Sequence, residues 1–145
     1  MREIKFRAWD YREEKMYSVK TIYWNNDGVM RGIYDKERED ETGHYVPDCR
    51  LELMQYTGLK DKNGVEIYEG DIVKTDNSAC IGFENRIFKV FWFDENSAFW
   101  VIAKHIKKND NDTTIWDTEA LPNVYGGCEV IGNIYQNPEL LEVKP

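Results

Sequence analysis

A short stretch near the middle of the chain constrains the fold more than any other part of the sequence. Residues 53–75 read LMQYTGLKDKNGVEIYEGDIVKT, in which two apolar segments flank the polar run 61–64. Asn63-Gly64 is the strongest hairpin signal that a sequence offers, because a type I′ turn needs positive φ at both central residues. The stretch therefore predicts strand, turn and strand, with Asn63 and Gly64 as the structural turn.

The second strand of this stretch ends in a bend at Gly70 and Asp71. The glycine permits a bulge or a sharp turn, and the carboxylate of Asp71 can accept bonds from neighbouring backbone N–H groups. Such a bend is expected at the entry into a small, strongly curved barrel. Glu66, Glu69 and Asp71 could also form a site for acid–base chemistry or a cation, although the sequence fixes no second partner for them.

Apolar periodicity predicts further strands on both sides of this stretch. Residues 3–9 alternate with a period of two, which is typical of a half-buried strand. Residues 81–106 predict a second hairpin, with its turn at 94–97. The near-continuous apolar character of residues 91–93 and 98–103 predicts burial on both faces, by another sheet layer, a helix or a neighbouring subunit.

The last part of the chain has weaker patterns. Residues 116–125 suit at most a short turn of helix, and residues 128–135 predict the last strand. Asn137 and Pro138 have the residue types of an N-cap and a first helical position, which predicts a short C-terminal helix.

These patterns predict a mainly β protein with a few short helices. The expected architecture is a bent antiparallel sheet or a small SH3-like barrel with an N-terminal β-meander. We expect residues 1–50 to form the meander, with a charged loop at 35–45, and residues 51–145 to form the barrel-like core. A chain of 145 residues, 41% of them hydrophobic, is long enough for such a core.

The formal net charge of −8 opposes non-specific attraction to nucleic acid and to anionic membranes. We therefore expect negligible binding of unrelated duplex DNA at physiological salt. The arginines are nevertheless concentrated at one end of the sequence, where any phosphate contact would lie, although solvated strand faces would explain them equally. Six of the seven precede residue 51: Arg2, Arg7, Arg12, Arg31, Arg38 and Arg50.

No familiar catalytic or metal-binding pattern is present in the sequence. Cys49, Cys80 and Cys128 are far apart and have neither disulfide-framework nor zinc spacing, which fits reduced thiols in the cytoplasm. The two histidines, His44 and His105, are scattered. We therefore predict no catalytic residues, no cofactor and no metal.

Two further features of the sequence bear on cation binding and localisation. Residues 110–114, DNDTT, resemble part of a calcium loop but lack its glycine and its distal glutamate. No apolar run approaches the length needed to span a membrane, and no basic leader with an apolar core opens the chain. We therefore expect a soluble cytoplasmic protein without a calcium site.

Three blocks of the sequence resemble one known family. The blocks are MQYTGLKDKNGVEIYEGDIVK, the opening REIKFRAWD and the closing CEVIGNIYQNPELL. Together they resemble the YopX family of bacteriophage and prophage proteins over nearly the whole chain. The resemblance implies a β-rich, phage-encoded protein in the bacterial cytoplasm. It supplies no catalytic residues, since the family has no established activity.

The aromatic content suggests how such a protein acts. Five tryptophans, nine tyrosines and six phenylalanines need to be covered. A single core covers only one face of a sheet, so we predict a homo-oligomer acting through contacts with a phage or host protein. The candidate interaction residues are Arg7, Trp9, Trp92 and Trp100. A single-stranded nucleic-acid-binding barrel and an unrecognised hydrolase remain alternatives.

Overall fold

The structure is a computed structural model. It describes residues 3–35, 45–47, 50–76, 85–107 and 113–142, with only the backbone described for residue 45 and for 103–107, 113–117 and 123–125. The chain divides into two compact units, residues 1–56 and residues 57–145. The sequence placed the boundary after residue 50. The division lies six residues later, inside a strand.

Unit 1, residues 1–56, is an antiparallel meander with a fifth strand added to one side. Its strands are β1 (Phe6–Asp10), β2 (Lys15–Trp24), β3 (Met30–Asp35), β4 (Tyr45–Pro47) and the first part of β5 (Leu51–Lys60). They lie in the order β4-β3-β2-β1-β5, and every neighbouring pair is antiparallel. The predicted N-terminal meander is confirmed.

One face of this sheet forms the core of unit 1. Ala8, Tyr17, Ile33 and Val46 are buried together there. Half-buried aliphatic side chains of β2 and β5 pack against them. The inward residues of β2 and β3 lie opposite each other, as the pair Ile22 and Ile33 shows. The residues that alternate with these inward ones therefore point to the other face of the β2–β3 pair.

Unit 2, residues 57–145, contains a five-stranded antiparallel sheet. Its strands are β7 (Asp71–Thr75), β8 (Ile87–Phe93), β9 (Ala98–Lys107), β10 (Thr113–Ala120) and β11 (Cys128–Asn133). The strand order is β10-β9-β8-β7-β11. Strand β6 (Glu66–Tyr68) pairs with the end of β5. One α-helical turn, α1 (Leu121–Val124), and 3₁₀ turns at Asp94–Asn96, Tyr125–Gly127 and Pro138–Leu141 connect or follow these strands.

The core of unit 2 lies on one face of the five-stranded sheet. Its buried members are Ile67, Val73, Phe88, Val90, Phe99, Val101, Leu121 and Cys128. Because side chains alternate along a strand, Phe88 and Val90 point into this core, and Phe91 and Phe93 point to the opposite face. Those two phenylalanines are only half-buried. The expected burial on both faces of β8 is therefore complete on one side only.

The fold confirms the mainly β prediction, and its two antiparallel sheets are consistent with the bent sheet. They do not close into a barrel, so the SH3-like alternative is wrong. Strand β10 occupies the first half of the segment 116–125, and the short helical turn predicted within that segment is α1, at Leu121–Val124. The C-terminal helix is a single 3₁₀ turn, and the side chain of Asn137 does not cap it.

The central hairpin lies where the sequence placed it, but its turn has a different geometry. Among the described residues with positive φ, Gly64 (φ 84°) is present and Asn63 is not, so the expected type I′ turn is wrong. The N–H of Gly64 donates to the carbonyl of Asp61 (3.0 Å), and the N–H of Asp61 donates to that of Val65 (2.8 Å). This pattern is a type I turn followed by a glycine bulge.

A serine in a strained backbone conformation gives a prediction for the second hairpin. Ser97 closes the β8–β9 turn with φ 47° and ψ 45°, a left-handed conformation that costs a residue with a Cβ atom about 1–2 kcal/mol. Ser97→Gly should therefore stabilise the protein by about 0.5–1 kcal/mol, after the extra flexibility of glycine in the unfolded chain is subtracted.

Denaturant unfolding followed by circular dichroism measures this change. Glu95→Gly, in the right-handed part of the same turn, is the control and should be neutral or destabilising. An unfolding midpoint that falls in Ser97→Gly would contradict the expectation.

Candidate functional site

Two groups of aromatic side chains form the main candidates for interaction surfaces, one in each unit. The aromatic ladder of unit 2 consists of Phe91, Trp92, Phe93, Phe99 and Trp100 on the β8–β9 hairpin. The register of the two strands pairs Phe91 with Trp100 and Trp92 with Phe99. Directly opposed residues share a face, so the ladder displays rings on both sides of the sheet.

Ring geometry shows how the ladder is packed. Trp92 and Phe99 meet edge to face, with centroids 5.0 Å apart. Phe93 and Trp100 do the same at 5.4 Å, on the other side of the hairpin. Trp92 lies at the end of the core face and is 36% exposed, whereas Phe99 is 6% exposed. The ladder thus begins in the core and ends at the surface, with Trp92 as its most exposed ring.

The second group lies around the tip of the β2–β3 hairpin in unit 1. Its members are large apolar residues that are at least one third exposed: Tyr23 (55%), Trp24 (52%), Val29 (50%) and Tyr34 (37%). They make up four of the eight exposed large hydrophobic side chains among the described residues. Large exposed apolar side chains grouped on one hairpin make it a candidate for an interaction surface.

The sequence interpretation did not single out this hairpin tip. A signal was present, because the consecutive aromatic residues Tyr23 and Trp24 immediately precede the turn Asn25–Gly28. Aromatic residues beside a hairpin turn lie at the end of a sheet, where fewer neighbouring strands cover them. The sequence could not show which side of the sheet the core would occupy.

The structure separates the four predicted interaction residues. Trp92 and Trp100 belong to the aromatic ladder. Trp9 is 7% exposed, so its ring is buried and is not part of an exposed surface. Arg7, beside it on β1, is half-buried and has interaction partners within the protein. The exposed part of the predicted surface is therefore the β8–β9 hairpin.

A buried carboxylate holds the central hairpin to the rest of unit 2. Asp61 is 6% exposed. Its Oδ1 accepts bonds from the N–H groups of Asn63 (2.8 Å) and Val65 (2.9 Å), and its Oδ2 accepts one from Val130 on β11 (2.9 Å). Burial acts to raise the pKa of Asp61. The three N–H groups and the neighbouring ammonium of Lys62 outweigh it and hold the pKa below its usual value.

Lys62, the next residue, adds further contacts between the central hairpin and β11. The ammonium of Lys62 lies 3.1 Å from a carboxylate oxygen of Asp76 and 3.2 Å from one of Glu129. Its backbone N–H also donates to the carbonyl of Cys128 (3.1 Å). Hydrogen bonds to the two carboxylates raise the pKa of Lys62. The turn predicted as structural is thus a docking element between the β5–β6 hairpin and β11.

A second ionic cluster lies in unit 1 around a completely buried Asp10. Its Oδ2 accepts a bond from the guanidinium of Arg50 (2.8 Å), and its Oδ1 accepts one from the N–H of Arg12 (2.8 Å). The hydroxyl of Tyr17 donates to Glu13 (2.9 Å) in the same cluster. Burial, followed by that bond and the nearby negative charges, raises the pKa of Tyr17 to about 12.

The bend after β6 shows local bonding of its carboxylates. Gly70 has φ 76°, a conformation that favours glycine. The carboxylate of Asp71, 1% exposed, accepts a bond from the N–H of Tyr68 (2.7 Å). Glu66 accepts one from the hydroxyl of the same tyrosine (2.9 Å). These contacts support the backbone at the bend.

Several residues weighed in the sequence lie outside the described part of the chain. These are Arg2, Arg38, His44, Cys49, Cys80 and most of the two polar segments 35–45 and 110–114. Cys128 is described and completely buried. Burial, together with the charges of Asp61 and Asp76, raises the pKa of its thiol to about 12. The thiol is therefore protonated at neutral pH.

The described residues offer neither a metal site nor a membrane-spanning helix. No group of three or more His, Cys, Asp or Glu side chains in that part of the chain could hold a metal ion. No helix there is long and apolar enough to cross a membrane.

The fold and its surfaces define an antiparallel β protein of two units that carries exposed aromatic residues on two hairpins. The chain belongs to the YopX family, whose model, described as YopX protein, matches residues 5–142. The family resemblance seen in the sequence is confirmed.

Comparison with solved structures agrees with this assignment. The chain is similar to the crystal structure of protein EF1440 from Enterococcus faecalis, with 31% sequence identity and a TM-score of 0.67. The match covers 98% of this chain and 100% of that one. Among curated proteins, none matches the chain.

Proposed function

We propose that the protein is a phage- or prophage-encoded accessory protein of the bacterial cytoplasm that acts through protein contacts as a homo-oligomer. The observation that carries the proposal is the aromatic ladder. Trp92 is 36% exposed at its end, and Phe91, Phe93 and Trp100 are half-buried on the face opposite the core. Aromatic side chains of this kind are enriched at the energetic centres of protein interfaces.

The chemistry of the ladder favours a protein surface as its partner. The rings of Phe93 and Trp100 already pack edge to face, so they present a preformed apolar surface and lose little side-chain freedom on binding. A second copy of the same hairpin would cover the half-buried rings with rings of the same kind. Such a self-complementary contact is the usual way in which a symmetric dimer closes.

Replacement of Trp100 tests this proposal. Trp100→Ala should weaken self-association by about 30-fold or more, since truncation of a central aromatic residue of the proposed contact costs about 2 kcal/mol or more of binding free energy. Light scattering coupled to size exclusion measures the mass over a range of protein concentrations.

Circular dichroism of the variant should show an unchanged fold, because Trp100 is half-buried on the face opposite the core. Trp24→Ala, on the other unit, is the matched control and should leave the mass unchanged. A strictly monomeric wild type at high micromolar concentration would refute the proposal.

A further inference from the structure

One dipeptide of the central hairpin is chemically reactive. Asn63 is followed by Gly64, and no other asparagine in the sequence precedes a glycine. The backbone nitrogen that follows an asparagine can attack the side-chain carbonyl carbon, because the attack closes a five-membered ring. Glycine hinders this attack least, since it has no side chain. Asn63 is therefore the asparagine whose sequence context most favours deamidation.

Deamidation at this position needs no reactant other than water. A bond forms between the nitrogen of Gly64 and Cγ of Asn63, and the bond from Cγ to the side-chain nitrogen breaks. Ammonia leaves with the proton that the Gly64 nitrogen has given up. Water then opens the cyclic imide at one of its two carbonyl carbons, which yields either aspartate or isoaspartate. In isoaspartate the main chain runs through Cβ and Cγ and is longer by one atom.

The side chain of Asn63 is available for this reaction. It lies on the exposed turn and forms no hydrogen bond with the part of the chain that the structure describes. Other asparagine side chains are held in place. Asn133 donates to the side chain of Gln136 (2.6 Å) and accepts from its N–H (3.0 Å), and Asn25 accepts from two N–H groups of its own turn.

The backbone of the folded turn opposes the reaction. The N–H of Gly64 donates to the carbonyl of Asp61 (3.0 Å), and the N–H of Asn63 donates to Oδ1 of Asp61 (2.8 Å). Ring closure rotates the peptide between Asn63 and Gly64 out of the type I geometry, so the bond to the Asp61 carbonyl must break. Removal of the Gly64 proton by base requires the same opening. The reaction is therefore slow while the turn stays closed.

We propose that Asn63 is a deamidation site whose rate is set by local opening of the central hairpin, and that isoaspartate at this position releases the hairpin from β11. The longer main chain changes the spacing between Asp61 and Val65, whose N–H donates to Oδ1 of Asp61 (2.9 Å). The same carboxylate accepts the bond from Val130 through Oδ2 (2.9 Å), so its displacement also loosens β11. The proposed homo-oligomer plays no part in this reaction.

Peptide mapping by mass spectrometry, during incubation in mildly alkaline buffer, tests the site. Asn63 should be converted faster than any other asparagine and should give both products. The rate in the folded wild type should be about tenfold or more below the rate of the same chain in concentrated urea, because only the open turn reacts. Asn63→Gln retains an amide but would need a larger ring, so it should block modification at this position alone.

Two matched variants separate local from global opening. Asp61→Asn supplies one uncharged acceptor oxygen where the carboxylate supplies two, so it should raise the rate at Asn63 by about tenfold. Asp10→Asn neutralises a buried carboxylate of unit 1 and should leave the rate at Asn63 unchanged. Hydrogen exchange of the Gly64 N–H should rank the wild type and the two variants in the same order, since it reports the same opening.

The isoaspartate form, separated by ion exchange, tests the structural consequence. It should unfold at a lower urea concentration than Asn63→Asp, which carries the same added charge on a main chain of ordinary length. Equal unfolding midpoints would refute the release of the hairpin from β11.

Three further results would overturn the proposal. The chain in urea could form no isoaspartate at position 63. The folded wild type could react as fast as the chain in urea, which would show that the turn gives no protection. Asp61→Asn and Asp10→Asn could raise the rate equally, which would show that global unfolding controls the reaction. The mass measured for the homo-oligomer is independent of all these results, so the two proposals fail separately.

Discussion

Asp61→Ala should destabilise unit 2 by about 3–5 kcal/mol, because the N–H of Val130 would lose its acceptor and the charge-assisted bonds to Asn63 and Val65 would disappear. The hairpin would also lose its side-chain connection to β11. Urea unfolding of the wild type and the variant measures the difference.

The chain offers a matched control for this change in its other glycine turn. Asn25 has the same position relative to Gly28 that Asp61 has relative to Gly64, and its Oδ1 accepts bonds from the N–H groups of Asp27 (3.1 Å) and Val29 (2.8 Å). That turn is exposed, and the side chain of Asn25 bonds to residues of the same turn, so Asn25→Ala should cost about 0.5–1 kcal/mol. Equal losses in the two variants would contradict the role given to Val130.

The lowered pKa of Asp61 adds a pH dependence to this prediction. The unfolded carboxyl has a pKa of about 3.9 and the folded one a lower value, so the unfolded state binds more protons in acid. The stabilisation by Asp61 is therefore fully present above about pH 5 and is lost as the pH falls through the folded pKa. Asp61→Asn should unfold with a flatter acid limb than the wild type.

The hairpins themselves were predictable from local sequence, because turn residues and apolar alternation act over a few positions. The turn type was not, since the Asp61 side chain competes with the type I′ geometry. By accepting N–H bonds from two residues of its own turn, this carboxylate favours a type I turn with the bulge at Gly64. An Asp or Asn residue two positions before Asn-Gly can therefore change the turn type that this dipeptide predicts.

Long-range pairing explains the parts of the fold that the sequence did not predict. Alternation along β1 puts Trp9 on the same side as Lys5 and Arg7, yet both Trp9 and Asp10 are buried. The partner that permits burial of Asp10 is Arg50, forty residues later in the chain. Strand β10 has no clear alternation, and its pairing with β9 becomes visible only in the sheet.

The candidate surfaces were also predictable from the sequence only in part. Trp92 and Trp100 were identified because β8 and β9 carry apolar residues at consecutive positions, which a single core cannot cover. Tyr23 and Trp24 were not identified because their exposure depends on where the core of unit 1 lies. Composition indicates that the chain has more aromatic side chains than one core can bury. Only the register of β2 with β3 shows which side chains of that hairpin lie on the face away from the core.

Loss of the buried Asp10–Arg50 ion pair should have the largest effect in unit 1. Asp10 is completely buried and its Oδ2 lies 2.8 Å from the guanidinium of Arg50, whose side chain is 18% exposed. Asp10→Ala should therefore cost about 3–5 kcal/mol, since it leaves a largely buried guanidinium with the more distant and half-exposed Glu13 carboxylate (3.9 Å) as its remaining ionic partner. The surface pair of Lys5 and Glu3, at 3.1 Å, is the control, and Glu3→Ala should cost at most about 1 kcal/mol.

A double variant separates the strength of this pair from the cost of breaking it. Arg50→Met alone leaves Asp10 buried with the N–H groups of Arg12 and Glu13 as its remaining partners, and should also destabilise the protein. Asp10→Ala combined with Arg50→Met removes both charges, so no unpaired ion stays in the interior. The double variant should then be less destabilised than the sum of the single ones, by about 1–3 kcal/mol. Additive losses in guanidinium unfolding would show that the two side chains act independently, and that burial of Asp10 depends on backbone N–H groups alone.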